Sequence, residues 1–174
     1  LLAAHARISR LEPARVERLV IVDIGPDIHL PGLDRVRAMM SGAPERIESE
    51  TQAVEYVRAV EDTALAYFEQ PVAAHDIQGM ARVARASRIP VGCDEGLHSL
   101  EDLKRHHDAG AAGGFSLKTI KLGGLQPVIE AGRLCEKLGL KVNLASKMAE
   151  TGISTAALLH LAAALPAVDW GIGL

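Results

Sequence analysis

The sequence predicts an α/β fold, a partial (β/α) barrel with parallel strands. Short apolar runs that end in a polar residue recur at a nearly constant step. The polar residues Glu69, Asp94, Lys118 and Asn143 follow one another at intervals of 25, 24 and 25 positions (94 − 69, 118 − 94, 143 − 118). A strand, a helix of about ten to twelve residues and two short loops fill such a step. The chain of 174 residues is shorter than the roughly 250 of a complete eight-stranded barrel, so we expect part of one.

The composition excludes several classes of protein and of partner. Hydrophobic residues make up 48% and charged residues 24%, as in a globular protein, and with only 3% aromatic residues the core must be mainly aliphatic. A net charge of −3 without a basic stripe argues against nucleic acid as a partner. No apolar run is long enough to cross a membrane. Cys93 and Cys135 fit no metal-binding spacing, so we expect reduced thiols in a cytoplasmic protein.

The first 48 residues contain one predicted strand. The β-branched run at 19–24 is typical of a buried parallel strand, and Gly25-Pro26-Asp27 breaks it. A short amphipathic helix is predicted at 30–40. The stretch 12–26, which leads from Glu-Pro-Ala-Arg-Val to Val-Asp-Ile-Gly-Pro, resembles a segment of the α/β-hydrolase family.

That first resemblance implies no hydrolase activity. The Gly-x-Ser-x-Gly nucleophile turn of the family is absent, and neither Ser9 nor Ser41 stands in such a context. Acyl transfer of this kind needs both a nucleophile and a base. We therefore expect Asp23, at the predicted strand end, to bond the following turn, and we rank an active hydrolase as the least favoured interpretation.

A helix is predicted where the first segment joins the rest. Apolar residues at 53, 54, 57 and 60 have a helical period, and Ser49 with Gln52 forms a capping-box signature at its start. We divide the chain into a hydrolase-like fragment at 1–48, a junction helix at 49–60 and a half barrel at 61–174. Two unrelated coding segments would then meet near the junction, and the alternative is one divergent protein.

Four sequence blocks in the last two thirds of the chain occur in a specific order and spacing. They are Phe68-Glu69-Gln70-Pro71, Pro90-Val91-Gly92-Cys93-Asp94-Glu95-Gly96, Ser116-Leu117-Lys118-Thr119-Ile120-Lys121-Leu122-Gly123-Gly124 and Lys147-Met148-Ala149-Glu150-Thr151. This set resembles the C-terminal barrel of the enolase superfamily, in its mandelate-racemase and muconate-lactonizing branch. The resemblance implies four complete strands and the beginning of a fifth.

The resemblance further implies removal of the proton α to a carboxylate, with Mg²⁺ as the cofactor. In such sites the metal stabilises the enediolate and a Lys or His acts as the base. By the resemblance, Glu69 and Asp94 are two of three metal ligands, and Lys118 is the acid/base residue. Lys147 and Glu150 would face the polar end of a small, amino-acid-like carboxylate substrate. The whole enzyme would be a racemase, epimerase, dehydratase or cycloisomerase.

The sequence departs from the family pattern at two places. The third metal ligand, an Asp in an Asp-x-Asn-like motif, has no match at residues 40–60, and no Lys-x-Lys motif supplies an opposing base. We therefore expect an enzyme fragment with an incomplete site, and its open strand edges favour self-association. The second interpretation is a non-catalytic chimeric α/β fold, in which the hydrolase-like strand at 19–24 adds to the parallel strands of the half barrel. A structural alternative for the two site residues is that Glu69 caps a turn and Lys118 is its ion-pair partner. Lys121, before two glycines, is interpreted as a loop residue.

Overall fold

The computed structural model describes residues 49–61, 65–147 and 151–173. The predictions for the hydrolase-like segment 1–48 lie outside these residues. In chain order the described elements are α1 (Glu50–Ala59), β1 (Phe68–Glu69), α2 (Ile77–Ala86), β2 (Val91–Cys93), α3 (Leu100–Asp108), β3 (Gly114–Leu117), α4 (Thr119–Leu122), α5 (Leu125–Leu138), β4 (Lys141–Ala145), α6 (Gly152–Ala164) and β5 (Ile172–Gly173).

The five strands form one parallel sheet, and their order in space is their order in the chain. β3 and β4 pair over four positions, whereas each of the other neighbouring pairs spans two. The fifth strand has only two residues. This is the half barrel that the sequence predicts, with four strands near the predicted polar residues and the beginning of a fifth.

Alternation along the strands separates an inner face from an outer face. Residues paired across neighbouring strands share a face, and so do residues two positions apart along one strand. Glu69 pairs with Gly92, Gly92 with Gly114, and Ser116 with Asn143. The inner face therefore carries the row Tyr67, Glu69, Gly92, Asp94, Gly114, Ser116, Lys118 and Asn143. Most of its polar members lie toward the carboxyl ends of the strands.

The outer face of the sheet packs against the helices and forms the main core. Phe115 and Leu117 of β3 and Leu144 of β4 are fully buried there. Met80 of α2 and Val128 of α5 belong to the same cluster of buried residues. Burying side chains of this size stabilises the fold by about 1.5–3 kcal/mol each. The core is largely aliphatic, as the composition predicts.

Side-chain caps fix where the loops end and four of the described helices begin. In α1, α2, α3 and α6 the capping residue accepts a hydrogen bond from the backbone N–H three positions on. The capping residues are Ser49, Asp76, Ser99 and Thr151, with distances of 3.2, 2.8, 3.1 and 3.4 Å. Such a cap contributes about 1 kcal/mol. The cap predicted for Ser49 is confirmed.

Two aromatic rings fill the amino-terminal end of the inner face. Tyr67 precedes β1 and Trp170 precedes β5, and their rings are stacked with centroids 4.2 Å apart. A Cβ on Gly92 would lie 2.7 Å from Tyr67 Cδ2, and a Cβ on Gly114 would lie 2.5 Å from Trp170 Cζ3. Glycine at both positions leaves room for the rings. The rings fill the amino-terminal end of the inner face, and the polar groups lie at its carboxyl-terminal end.

Both edges of the sheet are open in the part of the chain that the structure describes. β1 pairs only with β2, and β5 pairs only with β4. Open edges expose backbone donors and acceptors, and self-association through them remains a prediction. No helix within the described ranges is long and apolar enough to cross a membrane.

Candidate active site at the carboxyl ends of the strands

Asp94 and two lysines form the charged centre of the candidate site. Asp94 directly follows β2 and is buried, with 6% of its surface exposed. Lys118 Nζ lies 2.5 Å from Asp94 Oδ2, and Lys121 Nζ lies 2.8 Å from Asp94 Oδ1. Lys121 Nζ also donates to the backbone carbonyl of Asp94. Both carboxylate oxygens are therefore paired with an ammonium group.

The short helix α4 explains how two lysines reach the same carboxylate. Lys118 is the residue before this helix, and Lys121 is three positions further along it. Positions three apart on a helical turn lie on the same side, so both ammonium groups point back toward β2. Gly123, with φ 89°, and Gly124, with φ 135°, then turn the chain into α5.

The lysines also determine how Asp94 ionises. Burial alone would raise the pKa of Asp94, because water no longer solvates the charge. The hydrogen bonds from Lys118 and Lys121 favour the charged form and outweigh burial, so the pKa of Asp94 lies below its ordinary value of 3.8. Asp94 is therefore a carboxylate at neutral pH.

Glu69 lies beside this cluster in a polar row that crosses the inner face. Ser116 Oγ donates to Glu69 Oε1, and it lies 3.3 Å from Asn143 Oδ1. Asn143 Nδ2 donates to the two backbone carbonyls of residues 170 and 171, at 3.3 and 3.1 Å. The contact between Ser116 and Glu69 joins β3 to β1 across the intervening strand β2. The row thus connects β1 with the residues just before β5.

The surroundings of Glu69 disfavour its charged form. Neighbouring protein atoms desolvate the carboxyl group and raise its pKa above the ordinary value of 4.5, although one side of the residue remains exposed. The hydrogen bond from Ser116 lowers this pKa in part, and the charge of Asp94 raises it again. The negative charges of Glu69 and Asp94 therefore oppose each other at neighbouring strand ends.

The structure brings three of the predicted site residues together. Glu69, Asp94 and Lys118 lie on the inner face at the carboxyl ends of three successive strands. Lys118 pairs with Asp94, whereas the structural alternative for this lysine was an ion pair with Glu69. Lys147 is exposed, two positions beyond the end of β4. Glu150 lies outside the described residues.

Sequence reasoning missed three members of this site. The interpretation of Lys121 as a loop residue is wrong, because the chain after Lys118 forms a helical turn that directs Lys121 to Asp94. Ser116 and Asn143 had no assigned role. The alternation of β3 places Ser116 on the face of Lys118, and the regular step had already singled out Asn143, so both signals were present in the sequence.

The oxygen donors of the site suit Mg²⁺ in kind, and they form a partial set. Glu69 and Asp94 offer hard carboxylate ligands, and Mg²⁺ usually keeps several waters while one or two protein carboxylates hold it. The repulsion between the two side chains is consistent with a cation between them. No group of three or more His, Cys, Asp or Glu within the described ranges is placed to hold a metal.

A family model described as enolase C-terminal domain-like matches residues 31–173. The chain belongs to this enolase C-terminal domain-like family. The match covers all five strands and confirms the resemblance inferred from the four sequence blocks. It begins at residue 31, thirty positions before the predicted start of the half barrel at 61, and the division into 1–48, 49–60 and 61–174 remains a prediction.

Relatives in the enolase superfamily include enzymes of the same branch. The chain is 38% identical to the o-succinylbenzoate synthase of Thermobifida fusca over 122 residues, which cover 70% of this chain and 37% of the synthase. It is 31% identical to the N-succinyl-L-Arg/Lys racemase of Bacillus cereus over 96 residues, 55% of this chain and 26% of the racemase. The structure of the muconate lactonizing enzyme from Pseudomonas putida matches with a TM-score of 0.71 and 25% identity, over 86% of this chain and 44% of that one. The chain thus spans less than half the length of each.

Proposed function

We propose that this enolase-family chain provides part of a Mg²⁺-dependent site that removes the proton α to a carboxylate. The observation that carries the proposal is the convergence of Glu69, Asp94 and Lys118 at three successive strand ends. A relative named an N-succinyl-L-Arg/Lys racemase supports a small, amino-acid-like carboxylate as the substrate class. In the whole protein the reaction would be a racemisation, epimerisation, dehydration or cycloisomerisation.

Each of the three side chains has a distinct proposed role. Glu69 and Asp94 hold the metal, and Lys118 accepts the α proton. Bound Mg²⁺ would stabilise the negative charge that develops on the substrate carboxylate. Lys118 must first release its own proton, which would leave Asp94 without that partner. Lys121 remains 2.8 Å from the other Asp94 oxygen and keeps the buried carboxylate paired.

The residues after β4 would orient the substrate. We assign Lys147 and Glu150 to the polar end of the substrate that lies away from the reacting carbon. Because the sequence has no Lys-x-Lys motif, Lys118 is the single base that we assign, and it would act on one face of the α carbon. This part of the protein would then exchange the α proton with solvent and retain the configuration.

Calorimetric titration of the purified chain with Mg²⁺ tests the metal site. We expect saturable binding in the micromolar to low-millimolar range for the wild type and none for Glu69→Gln or Asp94→Asn. Glu130→Gln, at an exposed position of α5, is the matched control and should bind as the wild type does. The absence of specific binding by the wild type would instead favour the non-catalytic α/β fold.

Exchange of the α proton of an N-succinyl amino acid in D₂O, followed by NMR, tests the base. The Mg²⁺-loaded chain should incorporate deuterium, and Lys118→Met should abolish incorporation while Mg²⁺ binding persists. Lys104→Met, on the exposed side of α3, should have no effect. Equal incorporation by Lys118→Met and the wild type would remove Lys118 from the proposed role.

A further inference from the structure

Gln70 has an unusual backbone conformation at a position between the two carboxylates. It directly follows Glu69, and its φ of 41° makes it the only non-glycine residue with positive φ in the part of the chain that the structure describes. An L residue in this left-handed region is strained, and such conformations persist only where surrounding contacts hold them. Glycine would adopt this φ without strain.

The side chain of Gln70 makes four hydrogen bonds, two of which reach the segment that follows the next strand. Its Oε1 accepts from the backbone N–H groups of Asp94 and Gly96, both at 3.1 Å. Its Nε2 donates to the carbonyl oxygen of Val72 at 3.0 Å and to Met80 Sδ at 3.7 Å. The two N–H donors at one end and the two acceptors at the other fix the orientation of the amide. These contacts hold the strained backbone of Gln70 in place.

These bonds continue a strand pairing that is otherwise very short. β1 has two residues and β2 has three, and the last backbone bond between them runs from the Gln70 N–H to the Gly92 carbonyl at 2.8 Å. Beyond that point the Gln70 side chain replaces the ladder and holds the backbone of Asp94. The lysines hold the Asp94 carboxylate, so Gln70 and the lysines restrain different parts of the same residue.

We infer that Gln70 is a positioning residue that fixes the spacing between Glu69 and Asp94. It is next to Glu69 along the chain and is hydrogen-bonded to the Asp94 backbone, so a single residue links both proposed ligands. If position 70 had only to form a turn, glycine would adopt a φ of 41° without strain. The hydrogen bonds to the Asp94 segment, in contrast, require the glutamine amide. The inference rests on the proposed function of these two carboxylates, and it adds a residue that holds no metal and touches no substrate.

Two variants separate the amide from the backbone strain. Gln70→Ala removes the four side-chain bonds and keeps the strained φ, while Gln70→Gly removes the bonds and relieves the strain. Gln70→Gly therefore keeps the test valid should Gln70→Ala fold poorly. The matched control is Gln126→Ala, which removes an exposed glutamine whose Nε2 bonds Glu130 at 3.0 Å on α5.

Two measurements on each purified chain test the inference. Amide hydrogen exchange by NMR reports whether Gln70 protects the N–H groups of Asp94 and Gly96, and titration with Mg²⁺ reports the spacing of the carboxylates. In both Gln70 variants we expect the two amides to exchange faster and the Kd for Mg²⁺ to rise about tenfold or more, the usual effect of removing a residue that orients ligands. Gln126→Ala should change neither quantity.

The outcomes distinguish this inference from the proposed function. Unchanged exchange at both amides in both variants would show that the link does not exist. Faster exchange with an unchanged Kd would show that the link does not set the spacing, while binding by the wild type would leave the proposed function intact. No binding of Mg²⁺ by the wild type would remove the proposed function, and the positioning role would be overturned with it.

Discussion

The indole ring of Trp170 lies against the phenol ring of Tyr67, with the ring planes 6° from parallel. The two residues stand before the fifth and the first strand, so their contact joins the two outer strands of the half barrel across its inner face. The contact exists because Gly92 and Gly114 of the intervening strands carry no side chain beneath the rings. Packing on glycine is therefore what gives the sheet its closed end.

Gly114→Ala is expected to destabilise the fold strongly. The new Cβ would lie 2.5 Å from Trp170 Cζ3 and inside van der Waals contact of the Lys141 backbone carbonyl, which cannot move without disturbing β4. Overpacking of this kind costs about 1–3 kcal/mol. Urea denaturation followed by circular dichroism measures the change. Gly113→Ala is the control, because its Cβ would meet Pro90 Cβ at an ordinary 3.6 Å. Equal stability of the two variants would contradict the packing described here.

The way in which the free energy of unfolding falls at acidic pH should depend on Asp94. Burial opposes its charge, but the bonds from Lys118 and Lys121 hold the folded pKa below the ordinary 3.8. A carboxyl group with a lowered folded pKa stabilises the fold fully above its unfolded pKa, and this contribution is lost as pH falls from about 3.8 through the folded value. Asp94→Asn should therefore lower the free energy of unfolding at pH 7 by about 3–5 kcal/mol, the usual effect of breaking a buried ion pair, and flatten the profile below pH 4. If the free energy of unfolding of Asp94→Asn fell below pH 4 as steeply as that of the wild type, this role of Asp94 would be refuted.

Glu69→Gln should raise the free energy of unfolding at pH 7, whereas Asp94→Asn lowers it. Desolvation raises the folded pKa of Glu69 above 4.5, so its ionisation reduces stability as pH rises from 4.5 through the folded value. Without Mg²⁺ the variant should unfold at a higher urea concentration than the wild type at pH 7, and the difference should disappear near pH 4. Addition of Mg²⁺ should reverse the order, because only the wild type binds it. A less stable Glu69→Gln chain in metal-free buffer at pH 7 would contradict this reasoning.

Asn143→Leu should destabilise the junction of β4 and β5. The leucine is similar in size, but it removes the donor that bonds the carbonyls of residues 170 and 171, and one unsatisfied buried group costs about 1–3 kcal/mol. Thermal unfolding measures the loss, with Gln126→Leu at an exposed position of α5 as the control. We also expect the tryptophan fluorescence of Trp170 to change in Asn143→Leu. An unchanged midpoint and an unchanged spectrum would exclude this role for Asn143.

The two thiols should be unreactive while the chain is folded. Cys93 and Cys135 are fully buried, and burial raises the pKa of each to about 12. Since the thiolate is the reactive form, a disulfide reagent at pH 8 should label neither residue in native buffer and both in urea. Rapid labelling of either thiol under native conditions would mean that the core between the sheet and the helices opens readily and exposes the thiols.

The regular step predicted the strand ends well because the repeating unit is local. Glu69, Asp94 and Lys118 each follow an apolar run, and parallel strands place such residues at one edge of a sheet. The composition likewise predicted a mainly aliphatic core. These features depend on the pattern within one unit and need no knowledge of how the units curve.

The residues that sequence reasoning missed depend on contacts between units. Lys121 is followed by Gly123-Gly124, which suggested a loop, and only the helical turn after Lys118 directs it to Asp94. The bond from Ser116 to Glu69 crosses one intervening strand, β2, and requires the curvature of the sheet. No periodicity in the sequence encodes either contact.

The agreement between strand order and chain order has a consequence for folding. Residues that pair in the sheet lie 22 to 28 positions apart in the sequence. Cys93 and Phe115 have the shortest separation (115 − 93), and Leu144 and Ile172 have the longest (172 − 144). This order allows each unit to dock on its predecessor while the ribosome is still at work. The two repelling carboxylates emerge first and the lysines about 24 positions later, so a nascent chain that stops before β3 would hold two like charges without their counter-ions. The ion pairs of the site should therefore form in a fixed order during synthesis. The carboxylates are present first, and the lysines pair with Asp94 once β3 and α4 have been added.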